Sequence, residues 1–239
     1  MKLRLITIIC ALAFMTTALF TAADIAVYHI PGYYQHQFEE NEVQGNLNRE
    51  IDMQNIMTAF NGMLEYLRGN RNTLNNIKIV ADSRLQEFYT EREKLHLSDV
   101  KRIFLRSYRI RRLSALIFAI SSAYLIATGI FYNSKSKAHR PSITASLCKL
   151  FVFTCVITNI VFASLIGIIS INFDKAFTIF HHLLFKNDYW LLDPNTDDLI
   201  NLLPESFFIH MALTIVGIYS VIVISVNLIV GVLQKSCCK

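Results

Sequence analysis

The chain has 239 residues, is 53% hydrophobic and only 17% charged, and carries a formal net charge of +5. Its mean hydropathy is +0.39. An ordinary soluble domain, with charged residues near ~25%, is excluded by this balance. The apolar residues are bunched into four runs, at residues 5–27, 113–132, 150–171 and 207–233. Each is ~20 residues or longer, enough for a helix to cross about 30 Å of hydrocarbon. Inside lipid a helix satisfies its own backbone polar groups. The expected fold is an all-α membrane protein with four transmembrane helices and an extracellular cap formed by two outer loops.

In chain order, residues 1–27 form the first span. Its basic start and the small residues near Ala23 also suit a cleaved signal peptide. The run stays apolar past Ala23, however, so an uncleaved helix is expected. Cys10 is not in a lipobox. Residues 28–112 form the large first outer segment. It opens on the aromatic stretch "YHIPGYYQHQF". Apolar residues at Ile51, Met53, Ile56, Met57, Phe60, Met63, Leu64 and Leu67 then recur at helical spacing. A short strand is expected near residues 77–80, and a second helix from about Glu91 that runs on into the second span at residues 113–132. A connection at residues 133–149, a third span at 150–171, a second outer loop at 172–206, and a fourth span with its tail at 207–239 complete the chain.

Lys2 and Arg4, then Lys135, Lys137, Arg140 and Lys149, and finally Lys235 and Lys239 flank the spans on one side. Positive short flanks belong in the cytoplasm, which places both termini there and the two larger loops outside. The basic stretch "KRIFLRSYRIRR" at residues 101–112 runs against this rule. It ends a long loop, where the rule weakens, and suits an anionic leaflet surface. Adjoining a span, it is not read as a nucleic-acid site. None of the cysteines falls in the outer loops, so no structural disulfide is expected there. The terminal pair Cys237 and Cys238 is open to palmitoylation.

Two stretches carry chemistry. In "EREKLHLSDVKRIF", His96 and Asp99 are three apart and share a helical face, where a carboxylate orients an imidazole or stabilises its charge. A solvated histidine on a charged helix is the plainer reading. In "FHHLLFKNDYWLLDPNTDDLINLLPESFF", residues 180–208, His181 and His182 are neighbours, so only one of them faces any given site. Tyr189 and Trp190 suit an aromatic belt at the water–lipid boundary. Asp193-Pro194 opens a turn, with Asp193, Thr196 or Asp197 placed to cap the helix start after it. Asp24 is an acid in an apolar run, and an arginine of the basic stretch is its expected partner. No GxSxG, HExxH or glycine-rich phosphate loop is present.

These two stretches, "KLHLSDVKRIF" and the second-loop sequence, resemble the lipoprotein intramolecular transacylase (Lit) family of bacterial integral membrane proteins. The likeness runs over nearly the whole chain. It is most specific in the second loop, where Phe-His, the aromatic pair before an Asp, and Pro-Glu-x-Phe-Phe recur. The resemblance implies four helices with an extracellular cap in the bacterial cell membrane. It also implies an enzyme that moves the sn-2 acyl chain of a diacylglyceryl-cysteine lipoprotein to the α-amino group of the same cysteine. Two catalytic histidines are implied, one per outer loop. Carried over, they fall on His96 and on His181, which directly follows Phe180. Asp99, His182, Tyr189, Trp190, Phe207 and Phe208 are the candidate substrate-binding residues beside them, the rigid aromatics as walls of a pocket. No metal, cofactor or nucleic acid is called for. The substrate lipoprotein and membrane lipid are the expected partners, and the oligomeric state is not fixed.

An imidazole titrating near ~6.5 suits a reaction that takes a proton from an amine and gives one to a departing oxygen. Two other classes stay open on the residues alone. A metal-dependent membrane hydrolase would use His96, His181 or His182 with an acid such as Asp193. A non-enzymatic scaffold or accessory protein would tolerate loss of the histidines.

Overall fold

The computed structural model describes residues 1–135, 143–169 and 172–236. The basic second connection, with Lys137 and Arg140, and the pair Cys237 and Cys238 fall outside the described residues. Among the described residues, four helices are long and apolar enough to cross a membrane: Lys2–Tyr28, Glu91–Gly129, Thr144–Ser164 and Glu205–Gln234. The protein is a multi-pass helical membrane protein. Its chain divides into two compact units.

The first unit holds Met1–Ile25, Tyr108–Ile171 and Ile215–Lys239. It is built from helix α1 (Lys2–Tyr28), the later part of α5 (Glu91–Lys135), α6 (Ile143–Ile169) and most of α9 (Glu205–Ser236). Its core is a stripe on α1, with Ala11, Phe14, Met15, Ala18 and Ala22 at helical spacing, packed on Phe151, Cys155, Tyr219 and Val223. The alanines let neighbouring backbones approach closely, which is how helices associate where lipid removes the hydrophobic drive. Phe14 wedges between Phe118 and Phe151, with ring centroids 5.4 and 5.9 Å away. The opposite faces expose Ile120, Ile126, Ile160, Val221 and Leu228, as lipid-facing helices do. Asp24 pairs with Arg111 at 2.8 Å, so the acid in the apolar run meets an arginine of the basic stretch as expected. Helix α6 starts earlier than the span expected from residue 150. A lone Lys149 inside an otherwise helix-forming run does not stop a helix.

The second unit holds Ala26–Ser107 and Asn172–Thr214. Here α2 (Tyr33–Glu40), α3 (Val43–Asn46) and α4 (Met53–Arg68) lead to strands β1 (Lys78–Ala81) and β2 (Arg84–Glu87), then to the start of α5. Helices α7 (Phe173–Leu184) and α8 (Asp198–Leu202) and the start of α9 complete it. Phe38, Ile56, Phe60, Met63, Ile79, Phe88, Leu97, Leu199, Leu202 and Phe207 are among its core. Helix α4 begins where Asp52 accepts from Asn55 N at 2.7 Å and ends at Gly69, whose φ of 92° closes the helix. The expected strand is present, and it has a partner. Strand β2 pairs antiparallel with β1 through a two-residue turn at Asp82 and Ser83, both with positive φ (49° and 60°). Asp198 accepts from Asn48 N and Arg49, so α8 is tied to the segment before α4.

Candidate active site

The candidate site lies in the second unit, where the start of α5 meets α7 and the segment after it. Helix α5 opens with a capping box. Glu93 N donates to Thr90 Oγ1 at 3.3 Å, and Thr90 N donates to Glu93 Oε2 at 2.7 Å. Glu93 is fully buried and also accepts from Leu199 N at 2.5 Å. Burial pushes its carboxyl up to about 7, against the pull of those two N–H donors, and the nearby Asp197 and Asp198 add to the rise. One turn on, His96 is buried. This part of α5 is rich in charged residues and precedes the apolar run at residues 113–132.

Helix α7 is capped by Asn172, which accepts from Lys175 N at 2.9 Å. Phe173, Phe177 and His181 are four apart and share a face. The His181 ring lies 4.0 Å from that of Phe177 and is buried, whereas His182 is exposed. Of the two neighbours, His181 is therefore the one turned inward. Its Nδ1 donates to the Phe177 carbonyl at 2.7 Å. A carbonyl can only accept, so Nδ1 carries the proton and Nε2 of the neutral ring is left as an acceptor.

The two buried imidazoles meet with ring centroids 5.9 Å apart and planes inclined by 36°. Phe185 packs against both, at 5.4 Å from His96 and 5.6 Å from His181. Trp190 stacks on His181 at 4.8 Å and 28°, and His182 stands edge-on to the indole at 5.1 Å. Burial, with the neighbouring His181 as the smaller cause, pulls His96 down to about 4. Burial also lowers His181, opposed by its bond to Phe177, with His182 lowering it again. Both rings are neutral at pH 7. Two buried nitrogens here have no hydrogen-bond partner: His96 Nδ1 and Trp190 Nε1.

The remaining sequence-derived residues divide. Asp99 does not orient His96. It is ion-paired with Arg102 and accepts from Asn187 Nδ2 at 2.8 Å. Tyr189 is exposed and lines a cleft of about 590 Å³ with Arg92, Leu95, Asn187 and Asp188, which includes neither histidine. Phe208 packs on Phe173 and Phe177, one ring away from His181. Phe207 sits in the hydrophobic core against Tyr34, Phe38 and Phe60. Asp193 caps its own turn by accepting from Asn195 N at 2.9 Å. Asp197 precedes α8 but gives its carboxylate to Thr90 Oγ1 and Asp193 N, both at 2.9 Å. Among the described residues, no group of three or more His, Cys, Asp or Glu side chains is placed to hold a metal ion.

Sequence reasoning missed Glu93, Phe177, Phe185 and Asn187. The T-x-x-E spacing of Thr90 and Glu93 was a legible helix-start signal, and Phe177 four residues before His181 was legible as a shared face. Nothing in the sequence paired Asn187 with Asp99 or Glu93 with Leu199.

Four helices able to span a membrane and a separate unit with two facing, buried histidines define a helical membrane protein that carries a buried imidazole pair. The family profile of the lipoprotein intramolecular transacylase Lit matches residues 8–208. The chain belongs to that family, a family of membrane transacylases that act in lipoprotein modification. Its fold is that of the in meso structure of the membrane integral transacylase Lit from Bacillus cereus. The TM-score is 0.69 at 22% identity, over 99% of this chain and 95% of that one. Two structures of the same Bacillus cereus protein with one histidine substituted agree, each at TM-score 0.68 and 22% identity, over 99% of this chain and 92 or 93% of theirs. Curated proteins gave no match.

Proposed function

We propose that this protein moves the sn-2 acyl chain of a diacylglyceryl-cysteine lipoprotein onto the α-amino group of the same cysteine, with His96 and His181 handling the reaction. The observation that carries this is the pair of buried, neutral imidazoles at 5.9 Å, one of them with its tautomer set. The amine nitrogen attacks the ester carbonyl carbon, forming the C–N bond and placing the carbonyl electrons on oxygen. His181 Nε2 takes the proton shed by the nitrogen. The intermediate collapses, the C–O bond to glycerol breaks, and the His181 imidazolium returns the proton to the departing glyceryl oxygen. No atom is lost, and the product is an amide plus a free hydroxyl.

His96 Nδ1 has no partner within the protein, and we assign it to holding the attacking amine by a second N–H. An amine bound against a base at fixed geometry gains effective concentration, which matters because the cyclic intermediate contains about eight ring atoms and closes reluctantly in solution. Trp190, Phe185 and Phe177 wall the pair and exclude water. The positive flanks support cytoplasmic termini, with this site on the outer side of the membrane.

The test is mass spectrometry of a lipoprotein N-terminal peptide, with and without this protein, in a host that makes diacylglyceryl lipoproteins and has no other N-acylating enzyme. The lipid mass should stay constant while fragmentation shows one acyl chain moved to the amine. His96→Asn and His181→Asn should abolish the transfer, and His182→Asn should keep it. Transfer that survives His181→Asn would sink the assignment, and loss of an acyl chain without N-acylation would make the protein a hydrolase.

A further inference from the structure

We infer that the indole N–H of Trp190 is the donor that stabilises the oxyanion of the tetrahedral intermediate, an inference that rests on the acyl-transfer reading above. Trp190 is 7% exposed, and its Nε1 is buried without a hydrogen-bond partner. An indole nitrogen can only donate. Leaving such a group buried and unbonded is costly, and buried tryptophans usually satisfy it. A folded protein that holds a donor unpaired beside its reactive centre has it ready for a ligand oxygen.

The position suits that task. Charge develops on the oxygen of the carbon that the amine attacks, and His181 serves that amine. The oxyanion donor must therefore lie within a ring's width of His181. The stack at 4.8 Å and 28° puts the indole there. Apart from His96, which the reading above gives to the amine, several neighbouring side-chain donors are already engaged. Asn187 Nδ2 and Arg102 bond Asp99, Arg92 bonds the Asp188 carbonyl, Tyr89 bonds the Ala59 carbonyl, and His181 Nδ1 bonds Phe177. Trp190 is also held in place on both sides. Arg92 and Asn187 fix the chain before it, and Leu192 N donates to its carbonyl at 3.0 Å. A donor fixed before the reaction needs no reorganisation as charge appears, which is what makes oxyanion donors effective. The N–H is closed off from solvent, so the acyl oxygen reaches it in place of a neighbour. His182 is exposed and edge-on to the indole, and it is the neighbour free to swing aside.

In the balanced step the Trp190 N–H stays intact. It donates to the carbonyl oxygen as the C–N bond forms and the π electrons move to oxygen. It releases that oxygen when the C=O bond re-forms and the glyceryl C–O bond breaks.

The test uses the full-length protein in detergent with a synthetic diacylglyceryl-cysteine lipopeptide. Trp190 is replaced by 3-benzothienylalanine, which keeps the ring shape and the stack but has sulfur in place of the N–H. kcat should fall about 10²–10³-fold while KM changes less than about threefold, and Trp190→Phe should behave likewise. A phosphonate analogue of the tetrahedral centre should lose affinity for the isostere variant by a similar factor, while the unreacted lipopeptide does not. A merely structural ring would move KM and thermal stability without this split. If the isostere keeps wild-type kcat and phosphonate affinity while His181→Asn is inactive, the donor assignment is overturned and the acyl-transfer reading stands. An active His181→Asn overturns that reading, and the donor assignment with it.

Discussion

Trp190 is the chain's only tryptophan, and its ring is stacked on His181 and edge-on to His182, so its emission reports on the pair and substituting each in turn separates them. An imidazolium stacked on an indole quenches its emission, and the neutral ring does so far less. Burial holds His181 below the usual histidine value, the Phe177 bond opposes this, and charge on His182 lowers it again. Emission should therefore stay level as pH falls to about 6.5, the ordinary histidine value, and step down only below it. In His181→Gln the step should vanish. In His182→Gln it should remain and move to higher pH, because a repelling neighbour is gone. Steady-state fluorescence on the purified protein decides this. A step centred above the ordinary value, or one that survives His181→Gln, would show that the buried ring is not the group titrating against the indole.

At the scale of elements, the opening of α5 does two jobs through one side chain. Thr90→Ala removes one helix cap and the hydroxyl that bonds Asp197, and should cost about 1–2 kcal/mol. Glu93→Ala removes the reciprocal cap and also strands Leu199 N, leaving two backbone N–H groups without their acceptor. At about 1–3 kcal/mol for each buried unpaired group, Glu93→Ala should cost roughly 2–6 kcal/mol. Thermal unfolding in one detergent ranks the two, and equal losses would mean that the bond to Leu199 contributes no more than the bond from Thr90 to Asp197. The start of this helix was legible because its cap is local: Thr90 and Glu93 are three apart, and the helix begins at Glu91 where the pattern placed it. Strand β2 was not. Its turn needs positive φ at both Asp82 and Ser83, and it uses no glycine to announce them. The partners of Asp99 were only half legible for a similar reason. Arg102, one turn further along the same helix, and Asn187, 88 residues away, compete for its carboxylate, and only the first of these is visible in sequence.

At the scale of the whole molecule, the four spans were legible because a long apolar run has few other uses. The exact boundaries of the two units were not, since they cut through α1, α5 and α9 without any break in helix. Which of His181 and His182 turns inward was open in the sequence, and the helix buries His181 on the face of Phe173 and Phe177. The same fold places two strongly shifted groups near one another, and their linkage to stability has opposite signs. Glu93 is raised from 4.5 to about 7. Its contribution is fully present below 4.5 and is lost as pH rises through about 7. His96 is lowered from 6.5 to about 4. Its contribution is present above 6.5 and is lost as pH falls toward about 4. The two displacements are of similar size and act over nearly the same range, so between about pH 4.5 and 6.5 they offset one another. His181, lowered like His96, tips the sum toward less stability in acid. The wild type should therefore be most stable near pH 6.5, with a shallow fall on the acid side and a fall due to Glu93 alone above it. Glu93→Gln removes one arm. Its melting temperature should drop more steeply than wild type on acidification from pH 6.5 to 4.5, and should no longer fall between pH 6.5 and 8. Melting in one detergent across that range measures both slopes. A Glu93→Gln profile parallel to wild type would mean that the buried carboxyl does not hold its proton near neutral pH.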